Sequence, residues 1–153
     1  SVELIFDQGL GDVFSIRIAG NIINEDILGS MEFGCKVAGA KLIVVLGHTK
    51  CGAVKGACDP VEMGNLTALL SKIQPAVYDE KTETENRNSG NGEYVEKVAT
   101  INVKRTVQAV MERSPILKEM IENGVCGIVG GNHDISTGVV NFYDDTVIIK
   151  NSK

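Results

Sequence analysis

A continuous apolar run in the first third of the chain constrains the fold more than any other feature. Leu42–Leu46 consists of five consecutive aliphatic residues between Lys41 and Gly47. A strand with one face in water alternates polar and apolar residues, whereas an unbroken run is typical of a strand buried on both faces of a parallel sheet. The run therefore predicts a central parallel strand, and with it an α/β fold.

Helical and strand patterns alternate on either side of this run. Apolar residues at helical spacing predict helices over residues 26–40, 53–58, 65–73, 95–111 and 115–122, with Asn65 as a helix cap. Further strands are predicted over residues 13–18, 127–130 and 139–149, the last as one strand or two, and a polar loop over residues 81–92. Alternation of this kind implies βαβ units. We therefore predict one domain over residues 1–153, a three-layer α/β fold with a mainly parallel sheet flanked by helices.

Charge, hydropathy and cysteine content argue against a nucleic-acid partner, a membrane span and a secreted, disulfide-rich domain. The formal net charge is -5 and no basic run occurs, which argues against a nucleic-acid partner. No apolar stretch approaches the roughly 20 residues of a membrane-spanning helix. Four cysteines in 153 residues are too few for the disulfide-dense pattern of short secreted domains. Cys35, Cys58 and Cys126 lie in apolar patterns and are predicted to be buried thiols, so we expect a reducing, cytoplasmic setting.

The fourth cysteine, Cys51, lies close in sequence to a histidine, a pattern that suggests a metal-binding site. In the segment 47–53, Gly-His-Thr-Lys-Cys-Gly-Ala, the imidazole of His48 and the thiol of Cys51 lie three residues apart, directly after the buried strand. Zinc prefers both donors, and ligands of open α/β sheets bind beyond the carboxyl ends of the strands. The alternative is a histidine satisfied by backbone hydrogen bonds beside a buried cysteine. The pair by itself does not separate the two interpretations.

Several motifs in one order resemble the β-class carbonic anhydrase family. Glu32-Phe33, the helix and strand that follow, and Gly-His-x-x-Cys-Gly at 47–52 match the family's zinc turn without a gap. Upstream, residues 6–21 resemble the segment that leads into the family's second strand. Downstream, Gly-Asn-Leu-Thr at 64–67 and residues 129–140 match as well. The resemblance covers most of the chain and implies the β-carbonic anhydrase fold.

The resemblance also implies an activity and the residues that serve it. The family hydrates carbon dioxide to bicarbonate with a zinc ion, and His48 and Cys51 are implied as two of the ligands. Gln8 matches a glutamine that lines the carbon dioxide pocket at the dimer interface of some relatives. Phe33 stands where relatives often carry tyrosine, and Gly52 where the family offers a backbone group near substrate. For Gln8 and Phe33 the alternatives are a solvated polar residue and a core aromatic.

One zinc ligand of the family is missing from these residues. It is the cysteine of a Cys-x-Asp-Ser-Arg motif, whose aspartate and arginine help to position the attacking water, and residues 1–4 resemble the segment that follows it. We therefore expect the 153-residue chain to bind zinc weakly and to show little or no hydratase activity. Because the strand that carries the motif is central to the family's sheet, we favour further residues before Ser1 over loss of the site. His133 is predicted to cap a loop rather than to replace the ligand.

The family further implies a homodimer or a dimer of dimers, and two other function classes remain open. A metal-poor relative would act as a binding or assembly module, dimeric but without zinc or activity. A nucleotide-binding α/β domain would use the glycine-rich turns, but no strand precedes a Gly-x-Gly-x-x-Gly or Walker lysine motif. Zinc analysis of the purified protein separates the first class from the enzyme, and a nucleotide thermal-shift screen tests the second.

Overall fold

Helices and strands alternate along the chain, which a computed structural model describes for residues 1–59 and 61–151. The helices are α1 Val2–Ile5, α2 Glu25–Glu32, α3 Gly52–Cys58, α4 Gly64–Ser71, α5 Gln74–Asp79, α6 Gly92–Arg113 and α7 Pro115–Glu122. A π-helical turn, Phe33–Val37, extends α2, and a 3-10 turn covers Ala19–Asn21. The strands are β1 Leu42–His48, β2 Gly127–His133 and β3 Val140–Ile148. No helix of this described part is long and apolar enough to cross a membrane.

The three strands form one sheet in the order β1-β2-β3. β1 and β2 are parallel and in register from Leu42 opposite Gly127 to His48 opposite His133. β3 pairs antiparallel with β2, with an irregularity between Ile128 and Gly130. The predicted α/β class is therefore confirmed, and the described strands form one parallel and one antiparallel pair.

Most predicted elements are present, and two predictions are wrong. Residues 13–18 form no strand, because they pair with none of the three strands and a strand exists only with a hydrogen-bonded neighbour. Asn65 does not cap α4. The Thr67 hydroxyl accepts a hydrogen bond from the amide of Met63, and Met63 is the residue that precedes the helix.

Helix α6 packs closely on β1 and β2 because two strand positions carry glycine. A β-carbon added at Gly47 would lie 2.8 Å from Cγ2 of Val103, and one added at Gly130 would lie 2.8 Å from Cγ1 of the same valine. These separations are shorter than carbon atoms tolerate. The core at this contact joins one face of the sheet to the buried side of α6, through Ile43, Val45, Ile128, Val103, Val107 and Val110.

The opposite face of β1 is not covered in the same way, so the prediction of a strand buried on both faces is only half right. Leu42 is 47% exposed, and Val44 and Leu46 are partly buried. These three side chains line an open cavity of about 1160 Å³ between β1 and residues 12–23. The outer edge of β1 has no paired strand in the described residues. Val45, on the other face of β1, also lines the cavity, so the cavity runs along this unpaired edge, where a neighbouring strand would complete the sheet.

Substitution of Gly130 by alanine tests the close contact between α6 and the sheet. The added methyl group would meet Val103 at 2.8 Å and Val107 at 3.2 Å, and both are β-branched side chains with little freedom to move. We expect Gly130→Ala to lower the free energy of unfolding by about 1–3 kcal/mol, which is the usual cost of overpacking a core. Urea denaturation measures it.

Gly29→Ala is the matched control, because nothing lies within 4 Å of a β-carbon built at this helical glycine. Alanine is favoured over glycine inside a helix by about 1 kcal/mol, so this variant should be as stable as the parent or slightly more so. Equal stabilities for Gly130→Ala and the parent would contradict the packing described here.

Candidate metal centre

The turn that follows β1 brings His48 and Cys51 to the same cavity. β1 ends at His48, the backbone reverses at Lys50 with a φ of 55°, and α3 begins at Gly52. Cys51 is the residue that precedes α3. Both His48 and Cys51 line the cavity beside β1. His48 is thus the last residue of β1, and Cys51 lies three residues further along the chain, at the carboxyl end of the strand.

A hydrogen bond sets which nitrogen of His48 is free. Its Nδ1 atom lies 2.8 Å from the carbonyl oxygen of Thr49. A carbonyl oxygen only accepts hydrogen bonds, so Nδ1 carries a proton, and in a neutral imidazole with this tautomer Nε2 has the lone pair. Metal-binding histidines commonly have this arrangement, in which a backbone carbonyl fixes the ring and its tautomer. His48 is exposed and lines the cavity.

Cys51 is buried against the first helix after the turn and against α6. It belongs to a core cluster with Val54 of α3 and with Val95 and Val98 of α6. This packing fixes its backbone while the residue still contributes to the cavity wall. A thiolate here and an imidazole nitrogen at His48 are donors of the kind that zinc prefers.

Three hydrogen bonds from distant residues hold the turn. The amide of Thr49 donates to the carbonyl of His133 at 3.0 Å, and the Thr49 hydroxyl accepts from the amide of Ile135 at 3.1 Å. The amide of Lys50 donates to Oε1 of Glu96 at 2.9 Å. Sequence reasoning did not identify Thr49 or Glu96. Because Glu96 is 46 residues from Lys50 along the chain, no local pattern signals this contact.

The donors present fit zinc in kind but not in number. Within residues 1–59 and 61–151, no group of three or more His, Cys, Asp or Glu side chains is placed to hold a metal ion. His133 lies beside His48 across the β1-β2 pair and also lines the cavity, but the two do not form such a group with Cys51. A catalytic zinc site normally has three protein ligands. His48 and Cys51 alone therefore fall short of such a ligand set.

The other predicted site residues divide into two groups. Gln8 and Gly52 line the same cavity as His48 and Cys51. The side-chain amide of Gln8 donates to the carbonyls of Phe6 and Asp7 in its own loop. Phe33 is 52% exposed and lies next to Phe14, with 6.0 Å between ring centroids, but is not part of the cavity wall.

The remaining three cysteines are buried free thiols with raised pKa values. Burial raises the pKa of Cys35 and of Cys58 to about 11. Burial also raises the pKa of Cys126, which lies in hydrogen-bonding contact with Cys35. Because the thiolate is the nucleophile and the metal ligand, these groups are chemically inert near neutral pH.

Alkylation with iodoacetamide at pH 8 tests this division among the cysteines. With a pKa of about 11, only about 0.1% of the Cys35 or Cys58 thiol is ionised at that pH. We expect Cys51, at the cavity wall, to be modified first. Peptide mapping by mass spectrometry follows the order, and unfolded protein, in which all four should react, is the control. Earlier modification of Cys35 or Cys58 would contradict the assignment.

The known proteins that resemble this chain belong to one family. The family model for carbonic anhydrase matches residues 1–140. Carbonic anhydrase 2 of Mycobacterium tuberculosis is 35% identical over 143 residues, which cover 90% of this chain and 66% of that protein. The carbonic anhydrase of Mycolicibacterium smegmatis is 32% identical over 145 residues, with 92% and 67% covered. The chain thus spans about two thirds of the length of these relatives.

A solved structure supports the same grouping. The β-carbonic anhydrase CafA of Aspergillus fumigatus superposes with a TM-score of 0.81 at 28% sequence identity. The superposition covers 93% of this chain and 68% of that one. The fold expected from the sequence resemblance is therefore confirmed.

Proposed function

This chain belongs to the β-class carbonic anhydrase family, and from that premise we propose that it carries part of a zinc site for the reversible hydration of carbon dioxide to bicarbonate. The observation that carries the proposal is the pair of donors after β1. His48 keeps a free Nε2, and Cys51 lies on the wall of the same cavity. An imidazole and a thiolate on one cavity wall suit zinc better than calcium or magnesium, which prefer oxygen ligands.

The chain's own residues supply the binding surface for the reaction. When bound, a zinc ion generates a nucleophile from water near neutral pH. The Thr49 carbonyl orients the His48 ring, and the Cys51 sulfur would supply negative charge to the site when it binds a metal as the thiolate. Val44 and Leu46 give the cavity an apolar wall, which suits the apolar substrate carbon dioxide. Gly52 exposes the backbone at the first turn of α3, where an amide remains free to bind an oxygen atom.

The third protein donor that this proposal requires is not found among residues 1–59 and 61–151. The outer edge of β1 is unpaired within the described chain, and residues 13–18, which also pair with no strand, lie across the cavity from it. β1 has seven residues and so extends about 23 Å. A strand inserted between these two segments would pair with β1 and end near His48. By the family resemblance, this strand carries the Cys-x-Asp-Ser-Arg motif.

We further propose that the chain forms a homodimer or a dimer of dimers in the cytoplasm. Apolar side chains on the N-terminal segment and the turn after α2 are exposed: Leu10 by 95%, Val37 by 68% and Phe33 by 52%. Exposed apolar groups of this size commonly mark contacts with another protein. In the dimer, Phe33 and Gln8 would line the substrate path where the two chains meet. The four free thiols are compatible with a reducing compartment.

A non-catalytic binding or assembly module is the second candidate function. It is favoured by the same shortage of metal donors among residues 1–59 and 61–151. In that case the protein would be a dimer that binds zinc no more tightly than a variant without Cys51. The enzyme and the module therefore differ in whether zinc binding depends on the donors at the end of β1.

Isothermal titration with zinc, together with stopped-flow measurement of carbon dioxide hydration, tests the proposed function. Zinc sites with full ligand sets bind with about 10–16 kcal/mol. With two protein donors we expect a Kd above about 1 μM, a value that corresponds to about 8 kcal/mol. We expect hydration by the 153-residue chain to stay close to the uncatalysed rate. His48→Ala and Cys51→Ser should each abolish zinc binding.

His133→Ala is the matched control for this titration, because His133 borders the same cavity but is not part of a metal-binding group. Its zinc affinity should equal that of the parent. Nanomolar binding with rapid turnover would contradict the view that the site is incomplete. Zinc binding that survives both His48→Ala and Cys51→Ser would contradict the site itself.

A further inference from the structure

The backbone of the metal turn has a left-handed residue that is not glycine. Lys50 has a φ of 55° and lies between the donors His48 and Cys51. In this conformation the β-carbon crowds the backbone, so side-chain-bearing residues are disfavoured there and glycine is not. Lys50 therefore needs a compensating contact to keep the turn in this shape.

Glu96 of α6 provides that contact. Its Oε1 accepts the hydrogen bond from the Lys50 amide at 2.9 Å. A bond from an amide to a carboxylate is charge-assisted and stronger than one between neutral groups. Within residues 1–59 and 61–151, Glu96 forms no salt bridge. The Glu96 carboxylate is therefore engaged by the Lys50 amide rather than by a basic side chain.

The position of Glu96 in the fold couples this hydrogen bond to Cys51. Its neighbours on α6, Val95, Val98 and Ala99, belong to the core cluster that contains Cys51. The other two hydrogen bonds of the turn tie Thr49 to residues 133 and 135, on the β2 side. The bond to Glu96 ties the turn to α6, on the side where Cys51 packs.

We propose that Glu96 is a positioning residue for the metal turn, whose carboxylate holds Lys50 in the left-handed conformation that lets His48 and Cys51 face one metal ion. This inference rests on the proposed zinc site but assigns a role to a residue outside it. Glu96 does not touch the metal or the substrate in this account. It acts through the backbone of Lys50.

Four variants of the 153-residue chain test the proposal: Glu96→Ala, Glu96→Gln, Lys50→Gly, and the double variant Lys50→Gly with Glu96→Ala. Two readouts are used. Hydrogen exchange at the Lys50 amide is followed by NMR in metal-free protein. Titration with Co²⁺ is followed by the thiolate-to-cobalt absorption band, which reports coordination by Cys51.

We expect Glu96→Ala to speed exchange at Lys50 and to weaken Co²⁺ binding about tenfold, as loss of supporting contacts around metal ligands commonly does. Glu96→Gln keeps an acceptor oxygen but loses the charge, so both of its effects should lie between those of the parent and Glu96→Ala. In the double variant, glycine adopts the left-handed conformation without help, so Co²⁺ affinity should return to within about twofold of Lys50→Gly alone. This rescue separates positioning of the turn from a general loss of stability.

Glu93→Ala is the matched control, because Glu93 lies three residues earlier on α6 and its carboxylate faces Lys97 rather than the turn. It should change neither readout. The proposal is overturned if Glu96→Ala leaves Lys50 exchange and Co²⁺ affinity unchanged, or if Lys50→Gly fails to restore the affinity. If the parent chain shows no thiolate-to-cobalt band, the proposed metal site fails, and the exchange rates still decide whether Glu96 holds the turn.

Discussion

The parallel pairing of β1 with β2 beneath α6 is the constraint on which the rest of the structure depends. It runs in register from Leu42 to His48 and sets where β1 ends. Glycine at 47 and 130 lets α6 approach the two strands closely through Val103. Since α6 also provides Glu96 and the valines that pack against Cys51, the same contact that forms the core aligns the turn after β1.

The candidate metal centre and the open edge of the sheet are two consequences of one arrangement. β1 has a partner on one side and a cavity on the other, and His48 and Cys51 line that cavity. In the proposed function, His48 and Cys51 supply two donors of a zinc site, and the cavity beside β1 leaves room for a strand that carries the remaining donor. This explains why a chain with a clear family fold has no complete metal-binding group in the part of it described here.

The sequence predicted what local patterns determine and missed what depends on distant neighbours. The Leu42–Leu46 run identified β1, and Pro115 marked the start of α7, because both signals lie within the element itself. Residues 13–18 have a strand-like pattern but form no strand, since strand formation requires a partner that no pattern reveals. His48 and Cys51 were predicted as metal ligands from the family resemblance, because their spacing alone does not separate a metal site from a buried cysteine beside a satisfied histidine. Glu96 was not, because its contact with Lys50 is formed only by the fold.

The central claim is that one metal ion binds to both a nitrogen of His48 and the sulfur of Cys51. X-ray absorption at the zinc edge, on the zinc-loaded 153-residue chain, tests it most directly. The account predicts one sulfur neighbour at about 2.3 Å and nitrogen at about 2.0–2.1 Å, with lighter solvent atoms completing the shell. A zinc shell of oxygen and nitrogen alone, with no sulfur, would contradict it.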